Sequence, residues 1–190
     1  MKFKQSLLLI LSISAMLLSA NSYAGRQGFN FFYGIGGGIV APQSEGLDED
    51  PVAAVSAIIG VEEDGWSLEF TGFQTTEGSE SSFYDYSLNG SDIGISYRSI
   101  EKNGKYHKFK ISNAKIDYES VETATNVTDT VEDIRGRSYT FGLGWRVSRE
   151  NRVEVDYTYH IVKDSDFDDV VHFVNISYLW GGAPYLGKDF

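Results

Sequence analysis

The sequence predicts an all-β fold, an eight-stranded antiparallel up-and-down barrel that crosses a membrane with its strands. Three observations carry that prediction. Large apolar residues recur at every second position in eight separate segments, giving each one apolar face and one small or polar face. The connections between these segments alternate between short and mostly longer. The prolines number only 3 and interrupt none of the alternating runs, where a missing N–H would break a ladder.

Composition narrows the functional classes. The chain has 190 residues and a net charge of −11, so it lacks the basic footprint that nucleic-acid phosphates require, and no nucleic-acid partner is expected. There is no cysteine, which removes disulfides, thiolate metal sites and cysteine nucleophiles. Aromatic residues make up 14%, too many for a disordered chain. No internal repeat or second domain is evident, and 190 residues suit one domain.

Residues 1–24 read as a cleaved secretory signal. Lys2 and Lys4 precede an apolar run over 7–18, and Ser22-Tyr23-Ala24 supplies small residues at a cleavage position. The run is too short to span a bilayer as a helix. Residues 25–190 then form the barrel domain.

The strands follow in order. Over about 28–40, Phe29, Phe31, Tyr33, Ile35 and Ile39 alternate with Asn30, Gly34, Gly36 and Gly38. Over about 51–61 the odd positions are apolar, with Ser56 and Gly60 opposite. Over about 66–74, Trp66, Leu68 and Phe70 alternate with Ser67, Glu69 and Thr71. The segment at about 84–98 changes parity: Tyr84, Tyr86 and Leu88 are even, whereas Ile93, Ile95 and Tyr97 are odd. A bulge at Asn89-Gly90 is the expected reset. Over about 105–118, Phe109 and Ile111 alternate with Lys108, Lys110 and Ser112. The last three segments, about 136–147, 152–162 and 170–180, alternate with few breaks. Residues 181–190 read as a tail beyond the last segment.

A soluble sandwich would also alternate. The polar face argues for a closed barrel instead, because it is rich in Gly, Ser, Thr and charge of both signs. Its interior set is Glu69, Asp92, Arg98, Lys108, Lys110, Arg146, Glu154, Asp156 and His160. Such charges must pair or stay hydrated. The tryptophans agree with a membrane. Trp66 opens the third segment, Trp145 nearly closes the sixth and Trp180 ends the eighth, so all lie at the short-turn end. With Phe29, Tyr97 and Tyr178 they form an interfacial belt. Tyr118, Tyr139, Tyr159 and Phe73 are candidates for the opposite belt.

The parity also predicts a register. Lipid-facing positions are odd in both the sixth and seventh segments, so paired numbers must have an even sum. A three-residue loop, Arg149-Glu150-Asn151, would set Arg146 against Glu154 and Thr140 against His160. The alternative puts Arg146 beside Arg152, a like-charge pair.

Together these features resemble the small eight-stranded outer-membrane β-barrel proteins of Gram-negative bacteria, of the OmpA transmembrane and OmpX type. The resemblance spans the mature chain and is one of architecture. The segment Val174-Asn175-Ile176-Ser177-Tyr178-Leu179-Trp180 is similar to the final-strand signal read by the barrel-assembly machinery. Ten residues follow it, ending in a second candidate aromatic, Phe190. The resemblance implies a monomer in the cell outer membrane, in contact with its lipid and lipopolysaccharide, with no cofactor.

For function, the leading expectation is a structural or interaction protein whose lumen is plugged by charged and small side chains. A narrow pore, as in the porin family, is the alternative. Third is a surface lipid or peptide hydrolase, since the resemblance includes lipid A deacylases. Those carry a serine two residues after the histidine, and here His107, His160 and His172 are followed at that spacing by Phe109, Val162 and Val174. No catalytic or metal residue is therefore expected. The acidic loops, with Glu45, Asp48, Glu49 and Asp50, then Glu119, Glu122, Asp129, Glu132 and Asp133, then Asp164, Asp166, Asp168 and Asp169, read as solvated surface. Divalent cations bridging them to lipopolysaccharide phosphates are the functional alternative.

Overall fold

The computed structural model describes residues 30–43, 50–81, 84–100, 103–148, 150–164 and 167–181. Residues 1–29, which include the expected signal segment and Phe29, and residues 182–190, which include Phe190, lie outside the described residues. Among the described residues there are nine strands: β1 Asn30–Gln43, β2 Val52–Glu63, β3 Trp66–Thr75, β4 Gly78–Ser81, β5 Tyr84–Ile100, β6 Lys105–Glu122, β7 Thr128–Arg146, β8 Asn151–Asp164 and β9 Phe167–Gly181. All pairings are antiparallel. β1 pairs with both β2 and β9, and β3 pairs with β5, so the sheet closes. Eight strands form the wall. The short β4 continues the line of β3 along β5 above the closed ring, pairing Gly78 with Tyr86.

The parity read from sequence sets the faces. Ile35, Val55, Ile95, Phe141 and Ile176 are 61%, 67%, 59%, 56% and 58% exposed, on strands all round the barrel. A soluble monomer seldom shows a contiguous apolar patch of more than about 300–600 Å². A continuous apolar wall needs lipid, and a closed barrel satisfies every backbone group within it.

The ends of the barrel differ. Asp64 and Gly65, with φ of 55° and 80°, make the two-residue turn between β2 and β3. Both take the left-handed conformation that matches strand twist in a tight hairpin. This turn, the β5–β6 and β7–β8 connections, and the ends of β1 and β9 share one end of the barrel. At the other end the strands run on. Much of the loop expected after β6 is instead hairpin, because β6 continues to Glu122 and β7 starts at Thr128. Its ladder has a bulge where Glu132 and Asp133 oppose Asp117, and Asp133 has φ 66°.

Two expectations are corrected. There is no bulge at Asn89-Gly90. The β5–β6 ladder runs without a shift from Tyr84 to Ile100, and Tyr86 and Leu88 point inward with Asp92 and Arg98. They join Val52, Phe73, Ile116, Ile134, Val171 and Phe173 in an apolar cluster filling the upper interior. Phe73 and Tyr118 therefore belong to the inside and not to a lipid-facing belt. Phe73 packs 5.0 Å from Phe173, and Tyr118 stacks 6.1 Å from Tyr86.

The β7–β8 register is the second correction. Arg146 faces Arg152, and Thr140 faces Thr158, so the connection spans Val147 to Asn151. Val147 and Ser148 donate their N–H groups to the Asn151 carbonyl at 3.0 and 3.2 Å. The like-charge objection fails because Arg152 reaches across the lumen to Glu62, at 2.9 Å. The observed register also sets Gly142 against Asp156 and Gly144 against Glu154. A Cβ on Gly142 would lie 2.0 Å from Asp156 Oδ1, and one on Gly144 would lie 2.0 Å from the Tyr106 ring. The glycines make room for the side chains that cross the lumen.

Candidate functional site

The lumen is built in layers along the strands. Nearest the short turns, Glu62 and Arg152 make a two-contact ion pair at 2.9 and 3.0 Å. The Phe32 ring lies between two guanidiniums, 5.0 Å from Arg98 and 4.6 Å from Arg152. Cations favour aromatic faces, most of all where water is excluded.

Above this, Arg98 and Lys108 hold the centre. Arg98 Nε donates to Glu154 at 2.8 Å, one terminal nitrogen donates to Glu69, and the other donates to Ser67 Oγ at 2.6 Å. Lys108 Nζ lies 3.0 Å from Glu69, 2.9 Å from Glu154 and 2.9 Å from Asp156. Tyr106 donates its hydroxyl to Glu154 at 2.7 Å. Lys110 pairs with Asp92 and donates to Thr71 Oγ1 at 2.8 Å. Among the described buried residues, five carboxylates (Glu62, Glu69, Asp92, Glu154, Asp156) meet four cations (Arg98, Lys108, Lys110, Arg152). Near balance of sign and the short contacts allow these charges to stay buried.

The network thus unites seven of the predicted interior residues: Glu69, Asp92, Arg98, Lys108, Lys110, Glu154 and Asp156. His160 is buried apart from them, farther along β8 beyond Thr158. Its Nδ1 is 2.5 Å from Ser138 Oγ, and its ring is 5.6 Å from Phe73. Arg146 is half-buried at the short-turn end. Ser67 and Ser96 were read only as small residues of the polar face, and Glu62, Arg152 and Tyr106 were missed. Each has the inward parity of its strand, so extending the alternation to the strand ends would have found them.

On the outside, Trp66, Tyr97, Trp145, Tyr178 and Trp180 gather at the short-turn end. Trp66 is 4.9 Å from Tyr97, and Tyr178 is 4.8 Å from Trp180. Tyr33 adds to them, stacking 5.6 Å from Trp180. Aromatic rings with a polar edge favour the bilayer interface.

The fold is that of a small outer-membrane β-barrel. A closed antiparallel barrel with an apolar outer wall, a polar lumen and an aromatic girdle is the architecture of that membrane, and solved structures agree. The barrel is similar to Neisserial surface protein A, with a TM-score of 0.71 and 8% identity over 81% of this chain and 99% of that one. It is similar to the attachment invasion locus protein Ail of Yersinia pestis, solved with the heparin analogue sucrose octasulfate, at TM-score 0.61, 11% identity, and 82% and 100% coverage. OprG of Pseudomonas aeruginosa matches at TM-score 0.53, 9% identity, and 82% and 97% coverage. At these identities the likeness is one of fold. No family model and no curated protein sequence matches the barrel.

The acidic surface is only partly described. Glu119, Glu122, Asp129, Glu132 and Asp133 lie on the β6–β7 hairpin, whereas Glu45, Asp48, Glu49 and Asp166 lie outside the described residues. Among the described residues, no three acidic or histidine side chains converge as a metal site would require.

Proposed function

We propose that this barrel is a structural or interaction protein of the outer membrane whose lumen is closed. The observation that carries the reading is that two different fillings lie in series: the ion-pair network below and the apolar cluster around Phe73 and Phe173 above. An ion would have to displace both. Eight strands leave an interior that side chains can fill. Purified protein in planar bilayers should give no discrete steps in current. Salt-dependent channels of defined conductance would overturn the closed lumen and favour the pore.

An interaction role is supported by the sheet of β4 to β7 that rises past the ring. In its outer strand, 128–133 is exposed and acidic, and the β7–β8 ladder begins only at Gly136. Lipopolysaccharide and lipid are the partners of the wall in this reading. The barrel-assembly machinery is the partner of β9, which ends at Gly181. Removing residues 182–190 should then leave a heat-modifiable barrel, while Tyr178→Ser with Trp180→Ser should abolish insertion. The reverse pair of outcomes would move the assembly signal to Phe190. Hydrolysis has no support in the site: His160 is sealed between Phe73 and Ser138.

A further inference from the structure

We propose that the outer wall binds a phosphorylated lipid of the outer leaflet, with its headgroup phosphate on Arg137 and Arg135 and an acyl chain in the groove below. The proposal rests on the reading of lipid and lipopolysaccharide as partners of the wall and is independent of the closed lumen. An open groove of about 970 Å³ crosses the lipid-facing wall from Trp66 and Leu68 on β3 to Tyr139 and Arg137 on β7. That is the upper end of the size of small-molecule clefts. At its middle Gly94 faces Ser112. A Cβ on Gly94 would lie 2.1 Å from the Ile111 carbonyl, so the two backbones approach closely there.

The polarity of the wall changes abruptly at the top of this groove. Phe109 pairs with Phe141 and Ile111 with Tyr139, all facing lipid. The next outward rungs pair Asn113 with Arg137 and Lys115 with Arg135. Two residues along a strand is about 7 Å, so the guanidiniums stand where acyl chains give way to headgroups. Lys115 is already engaged by Asp133 at 2.8 Å and Asp117 at 3.5 Å. Arg137 is exposed and has no carboxylate partner among the described residues. In a chain of net charge −11, this is no part of a general basic surface. A guanidinium fork matches phosphate geometry, and cations at this depth recognise anionic headgroups. An amphiphile with a phosphate directly above a chain fits both halves of the site.

The test uses the full mature barrel in detergent micelles, titrated with bis-phosphorylated lipid A and read by native mass spectrometry. Dephosphorylated lipid A and inorganic phosphate are the comparison ligands. Arg135→Gln with Arg137→Gln should weaken lipid A binding by at least about tenfold, the factor for one charge-assisted hydrogen bond. Dephosphorylated lipid A should bind the wild type as weakly. Ile95→Trp, which fills the groove and leaves the cations in place, should also weaken binding. Heat-modifiability on a semi-native gel checks that each variant is folded. Inorganic phosphate at millimolar concentration should not compete. Equal binding of the dephosphorylated lipid, unchanged binding by the arginine variant, or full competition by inorganic phosphate would each overturn the proposal.

Discussion

Lys108 shows how one side chain can hold a lumen together. It is buried against three carboxylates on two strands, Glu69 on β3 and Glu154 and Asp156 on β8. Removing the charge leaves uncompensated anions in a buried site. Lys108→Met should therefore destabilise the folded barrel by ~3–5 kcal/mol, read as a lower urea midpoint of unfolding from micelles. Adding Glu154→Gln should recover part of that loss, because residues in one network are not additive. A double variant as unstable as the sum of the singles would mean the network is not coupled. Gly142 makes the same point by absence. Gly142→Val would place atoms where Asp156 Oδ1 now sits, and should destabilise the barrel while Ser138→Ala has a smaller effect.

At the scale of the element, the β7–β8 hairpin and the β6–β7 hairpin make separate predictions. Arg146→Cys with Arg152→Cys places two thiols directly across the ladder, and a disulfide should form on oxidation. Arg146→Cys with Glu154→Cys should not crosslink. The opposite result would restore the three-residue loop expected from charge pairing. In the β6–β7 hairpin, Asp133 donates its backbone N–H to Asp117 at 2.8 Å and accepts from Lys115. The Lys115 hydrogen bond holds the Asp133 carboxyl below the ordinary 3.8, and the same bond raises Lys115 above 10.5. A lowered acid contributes above its unfolded pKa and is lost as pH falls through the folded one. A raised base contributes below its unfolded pKa and is lost as pH rises through the folded one. The hairpin should be most ordered between those limits. Amide exchange at Asp133, corrected for intrinsic rate, should quicken on acidifying below about pH 3.8. Asp133→Asn should remove the part of that dependence that passes through the Lys115 ion pair.

For the whole molecule, closure and polarity act together. The outer wall is apolar because its solvent is lipid, and the inner wall is mixed because its partners are other strands. The apolar cap and the ion-pair layer occupy different heights, so one can be cut while the other stays. Phe73→Ala with Phe173→Ala opens a cavity in the cap, with a cost of ~3–5 kcal/mol for each large aromatic lost. The variant should still give no current in planar bilayers, because the layer around Arg98 and Lys108 is intact. Current through this variant alone would place the seal in the cap.

Much of this barrel was legible in its sequence. Alternation is a property of each strand by itself, so β7, β8 and β9 and their lipid faces followed from period two. The interior positions of Glu69, Arg98, Lys108 and Glu154 followed from the same parity. The connection at 62–65 was legible as short, although Glu62 and Glu63 belong to β2. Only the tertiary structure decided what the inward residues meet. Hydrophobic alternation cannot separate a lipid face from a packed interior, which is why Tyr86, Leu88 and Phe73 were misread. Nor can a hairpin's own charges fix its register when their partners lie across the lumen. Arg152 sits beside Arg146 because Glu62, 90 residues earlier in the chain, stands opposite it once the sheet has closed.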